Sequence, residues 1–134
     1  MPTILRSLIL GAAMLATPAL ATSRDTPEMR LEKMLAGRVA GKPVDCIDLS
    51  SASSSTIIDG KAIVYRVGST LYVNTPRSYP QSLRSDDVLI TRTFGSQLCS
   101  TDVVHTADRL SGFPRSPVFL GKFVPYTKPK APAR

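Results

Sequence analysis

The chain has 134 residues, 17 of them Lys or Arg and 10 Asp or Glu, for a formal net charge of +7. That length supports one domain rather than two. The single histidine, His105, excludes a His-rich zinc site, an HExxH protease and any mechanism needing two imidazoles from one chain.

Residues 1–21, MPTILRSLILGAAMLATPALA, have the layout of a cleavable secretory signal peptide. Arg6 gives a positive start, Leu8–Ala16 is apolar, Pro18 breaks the run, and Ala19-Leu20-Ala21 places small residues at the minus-three and minus-one positions. The apolar run is short for an uncleaved membrane anchor, which needs about 20 residues. No twin-Arg pair is present and no cysteine follows Ala21. The expected location after cleavage is the periplasm or the extracellular space, with no transmembrane segment in the mature chain.

The charge is unevenly placed. Residues 22–121 carry 12 bases and 10 acids, whereas Lys122, Lys128, Lys130 and Arg134 fill a closing segment without an acid. The body is therefore nearly balanced, and no nucleic-acid groove is expected on it. The basic end is suited to an anionic envelope surface, or to no partner beyond water. Another envelope protein is the remaining class of partner.

Cys46 and Cys99 both survive cleavage, and an even count in an exported chain favours a disulfide. Closing that loop of 53 residues stabilises the fold by about 4 kcal/mol in the chain-entropy picture. The pair lacks the CxxC spacing of a redox or metal site.

In chain order, residues 22–40 read as a lead-in followed by a short helix. Thr26 is its cap, Pro27 its first residue, Glu28 sits at the positive end, and Gly37 stops it. Residues 41–126 read as a disulfide-stapled β domain. Val44–Leu49 is its first strand, SSASSS at 50–55 a loop or irregular edge, and Asp59-Gly60 a hairpin turn. The sharpest unit is AIVYRV-GS-TLYVNT, residues 62–75. A type II′ turn at Gly68-Ser69 sets Val67 opposite Thr70, Tyr65 opposite Tyr72, and Ile63 opposite Asn74. Tyr65 and Tyr72 are then a cross-strand aromatic pair and a candidate contact face. Neither face of this hairpin is fully polar, so both are expected to be partly covered.

Residues 76–87 read as a Pro-rich loop. Val88–Phe94 reads as a strand with Val88, Ile90, Arg92 and Phe94 on one face, and Gln97–Cys99 as the start of another. Asp108–Pro117 is expected to be a loop and Val118–Val124 the last strand, with Gly121 a bulge or close crossing and Pro125 closing it. Residues 127–134 read as a disordered basic tail. The expected fold class is mainly β: a small antiparallel barrel or two-layer sandwich of five to seven short strands with one N-terminal helix.

Motifs for chemistry are sparse. GRVAGKP at 37–43 is one residue short of a phosphate loop and has Pro43 where Ser or Thr belongs. No GxSxG or SxxK occurs, and no DxDxDG calcium loop. Asp86 and Asp87 form a candidate weak cation or polar site. A hydrolase would draw on Asp86, Asp87, Asp102 and His105 gathered in one cleft. An inhibitor would present the 76–87 loop. The residues predict no cofactor, and a non-enzymatic binding or envelope-structural domain is the leading expectation.

Several segments taken together, GKPVDCI (41–47), IIDGKAIVYR (57–66), TLYVN (70–74), TFGSQLC (93–99) and FLGKFVPY (119–126), resemble a group of small exported proteins from alphaproteobacteria, sphingomonad-like organisms in particular. The resemblance spans roughly residues 41–126. It implies export and a two-cysteine domain, and it brings no activity or site residue.

Overall fold

The helix forms where its capping signals lie. In the computed structural model, which describes residues 11–17 and 24–130, α1 spans Pro27–Leu35. The Met29 N–H donates to Thr26 Oγ1 at 3.2 Å, so the threonine satisfies one of the free donors of the first turn. Residues 11–17 are exposed and without regular structure. The rest of the expected signal peptide, and residues 131–134 of the expected tail, lie outside the described residues.

Among the described residues ten strands follow in three antiparallel sheets, more than the five to seven expected, and these strands close no barrel. They are β1 (Val39–Ala40), β2 (Cys46–Asp48), β3 (Ala52–Ile58), β4 (Ala62–Val67), β5 (Thr70–Asn74), β6 (Asp87–Ile90), β7 (Gln97–Cys99), β8 (Val103–Asp108), β9 (Pro114–Phe119) and β10 (Phe123–Thr127). The large sheet has the order β1-β10-β5-β4-β3, a second pairs β2 with β7, and a third has the order β6-β8-β9. The large and three-stranded sheets each keep two open edges, which is why the barrel reading fails.

The central hairpin has the expected register. Val67 faces Thr70, Tyr65 faces Tyr72, and Ile63 faces Asn74. Gly68 takes φ +59°, the conformation that a glycine-first type II′ turn requires. Asp59-Gly60 turns β3 into β4, with the Lys61 N–H donating to the Ile58 carbonyl at 3.0 Å.

Both faces of the large sheet are covered. On one, Leu31, Met34 and Leu35 of α1 pack over Ile58, Ala62, Val64, Leu71 and Val73. On the other, Ile57, Ile63, Tyr65 and Phe123 meet Ile47 and Leu98 of the two-stranded sheet and Val104 and Val118 of the three-stranded one. The large sheet is thus the middle layer between a helix and two smaller sheets.

Cys46 and Cys99 stand directly opposite on β2 and β7 and form a disulfide. The bond ties the two strands that make up the smallest sheet, which has the fewest ladder bonds of its own to hold it.

Four expectations on strand boundaries are corrected. Serines 53–55 belong to β3, because pairing with β4 supplies backbone bonds whatever the side chains do. The strand after the Pro-rich loop ends at Ile90, and its inward face carries Leu89, not Val88 and Ile90; Phe94 is fully exposed. Pro114 and Pro117 lie within β9, an edge strand where a missing N–H is tolerated. The expected last strand is split into β9 and β10 at Gly121, while Pro125 sits inside β10 and Thr127 ends it. Pro125 directs its carbonyl to the Gly41 N–H at 2.7 Å, away from β5, so its missing N–H breaks no bond to that strand.

Gly121 is a close crossing rather than a bulge. A Cβ there would collide with the Thr75 carbonyl oxygen. The buried Asn74 holds the crossing from both sides. Its amide donates to the Gly121 carbonyl at 2.7 Å, and its carbonyl accepts the Gly121 N–H at 2.9 Å.

Candidate functional site

Two of the open edges, β3 and β6, face a common cleft. Its larger part, about 600 Å³, is lined by Ser55–Ile58, by Ser85, Asp87–Leu89 and Arg109, and by Arg30, Lys33 and Met34 of α1. A smaller part, about 260 Å³, continues between Ala52–Ser55 and Leu89, with Tyr65 and Thr91 in its wall. Ser55 and Leu89 line both parts, which makes the depression continuous along the two strands.

The cleft wall holds an unusual pair of groups. Among the described residues, the buried side-chain atoms without a hydrogen bond belong to Tyr65 and Asp87, and both residues line it. Tyr65 is 2% exposed, and burial pushes its phenol well above its ordinary pKa. Its ring packs edge-on against Phe123 at 5.9 Å. Desolvating a hydroxyl without a partner is unfavourable by roughly 1–3 kcal/mol.

Asp87 sits directly opposite Asp108 on the β6–β8 ladder, an arrangement that two like charges oppose. Arg115 of β9 lies between them. Its Nε is 2.9 Å from Asp87 Oδ1 and its Nη2 is 2.7 Å from Asp108 Oδ2. The contact to Asp87 is an ion pair without hydrogen-bond alignment, and it offsets the buried charge. Asp108 is better served. It accepts the Ser111 N–H at 2.8 Å, the Arg115 guanidinium and the Leu110 N–H at 2.9 Å, which hold its carboxyl far below the usual carboxylate range. Arg115 is raised in return, chiefly by Asp108. Arg115 is shared between the two acids, and Arg30, Lys33 and Arg109 add positive charge along the cleft that Asp87 lines.

The residues singled out in the sequence are distributed as follows. Asp86 is exposed and 3.8 Å from Arg84, whereas Asp87 is buried, so the adjacent pair does not act as one cation site. No cluster of three or more His, Cys, Asp or Glu suited to a metal ion occurs among the described residues. Asp102 accepts the Cys99 N–H at 2.7 Å and closes the turn before β8. His105 is exposed on β8, opposite Ile90 and Pro117. No hydrogen bond joins Asp86, Asp87, Asp102 and His105 to one another, and of the four only Asp87 lines the cleft. Tyr65 and Tyr72 are cross-strand neighbours, but Tyr65 pairs its ring with Phe123 and lies in the core, so the two do not form an exposed aromatic face. Asp48 accepts bonds from the Ser50 N–H and the Ser50 and Ser51 hydroxyls, a turn-forming role.

The contributions of Arg115 and Asp108 escape a reading of the chain alone. Their part depends on the β8–β9 pairing, which places Arg115 beside two acids from different strands. A usable signal was the parity of Asp87 with Leu89, which puts a carboxylate on the inward face.

No helix among the described residues is long and apolar enough to cross a membrane. No family model, curated protein or solved structure matches this chain.

Proposed function

We propose that the chain is an exported, non-enzymatic binding domain, acting in the periplasm or outside the cell, whose ligand occupies the cleft between β3 and β6. One observation carries this reading: β3 and β6, two strand edges without a ladder partner on their open sides, line the same cleft, with Ser55 and Leu89 in both of its parts. The disulfide is compatible with an extracytoplasmic location, and we place the chain with the small exported alphaproteobacterial proteins that it resembles. The hydrolase alternative loses its support, since its four residues do not gather. The inhibitor alternative keeps one observation. Tyr79 projects from the 76–87 loop, 69% exposed and at φ +53°, with its carbonyl held by the Ser82 N–H and hydroxyl.

The test is to recover the oxidised chain from the cell envelope and measure its intact mass under native conditions. An N-terminus at Thr22 is expected, with a retained ligand that is lost in Ser55→Arg. Ser55 is exposed and lines the whole cleft, so the substitution fills the cleft without touching the core. A ligand retained equally by both proteins, or by neither, rejects the reading.

A further inference from the structure

The shape of the cleft points to the kind of ligand. Its two long walls are strand edges, and β3 and β6 are not hydrogen-bonded to each other. Apart from the ladder bonds to β4 and β8, residues 53–57 and 88–90 make no backbone–backbone hydrogen bond. Other edges in the molecule are guarded. β1 is two residues long, and β9 carries two prolines and an arginine. β3 is seven residues long, has no charge and no proline, and exposes Ser53–Thr56. Small side chains there let another backbone approach closely.

The wall asks for the same kind of partner. The polar atoms of Tyr65 and Asp87 are enclosed in the wall, so the two edges offer a ligand their backbone N–H and C=O groups. An extended backbone presents N–H and C=O groups in alternation to both sides, at a rise of about 3.3 Å per residue.

We infer that the cleft receives an extended polypeptide segment of a partner protein, which adds as a strand between β3 and β6 and joins the large sheet to the three-stranded one. This rests on the reading of the cleft as the binding site. Main-chain bonds to the two edges supply affinity, as in other strand-addition complexes. Net charge does not set the specificity: Arg30, Lys33 and Arg109 line the cleft together with Asp87, which Arg115 already offsets.

The probe is a panel of acetylated, amidated heptapeptides alternating Val and Thr, with the central residue varied, titrated into the oxidised protein. Backbone amide exchange provides the second readout. The expected result is saturable binding and slowed exchange in both Ser53–Ile57 and Val88–Ile90. Peptides N-methylated at odd or at even positions separate the geometries. A strand paired on both sides loses binding with either set. Loss with only one set shows one-sided pairing and overturns the proposal, and so does indifference to both sets or the absence of binding by any peptide. A concentration-dependent dimer that protects β3 without peptide overturns it too, since a second copy then covers the edge. If the peptides fail while the envelope-purified chain still retains a ligand sensitive to Ser55→Arg, only the peptide is rejected and the cleft reading stands.

Discussion

Replacing Tyr65 by Phe should stabilise the free protein. The substitution keeps the ring and its edge-on contact with Phe123 and deletes an oxygen that is buried without a partner. Relief of that unmet hydroxyl is worth roughly 1–3 kcal/mol. The small void left by one oxygen returns roughly 0.4 kcal/mol of that, at about 24 cal/mol per Å³. A net gain of about 1 kcal/mol is expected, equivalent to a rise in Tm of about 4 °C for a domain near 100 residues. Urea unfolding of the oxidised protein measures it as a higher midpoint at unchanged slope. A loss of about 0.5 kcal/mol or more would refute the reasoning, because it would mean that the hydroxyl already has a partner in the free state.

Reduction of Cys46–Cys99 should lower stability by about 4 kcal/mol, read by denaturant titration with and without reductant; an unchanged midpoint would show that the bond constrains little. Asn74→Ala removes both bonds that hold Gly121 and leaves a buried N–H and C=O unmet. A loss of roughly 2–4 kcal/mol follows, and a shift under about 1 kcal/mol would show that the crossing is held by other contacts. Asp108 has a folded-state pKa below its unfolded value of about 3.9, so its contribution is complete above that pH and is lost as pH falls below it. Asp108→Asn should therefore flatten the acid limb of the stability profile below about pH 4 and leave the slope between pH 6 and 8 unchanged. An identical acid limb in both proteins would assign that limb to other carboxylates.

Local chemistry accounts for what could be read without coordinates. Thr26 and Pro27 start a helix because a capping oxygen and a preset φ act within one turn. Gly68-Ser69 sets the register of β4 and β5 because a two-residue turn leaves no slack. Neither face of that hairpin is fully polar, which announced that both would be covered, and they are. Where pairing partners lie far apart in the chain, the same reasoning falters. The serines of β3 carry no packing signal, and β4 alone makes them a strand. Asp87 reads as half of a cation pair by adjacency, yet strand parity sends it inward and leaves Asp86 in solvent.

The amino-acid sequence by itself determined the single mainly β domain, the helix start, the central hairpin and the cysteine pair, all governed by interactions over a few residues or by counting. Only the tertiary structure decided that the sheets stay open, that Arg115 stands between Asp87 and Asp108, and that the edges of β3 and β6 enclose Tyr65 and Asp87 in one cleft. Those outcomes depend on which distant strands pair and which do not, a choice made by the summed burial of the whole core rather than by any one segment.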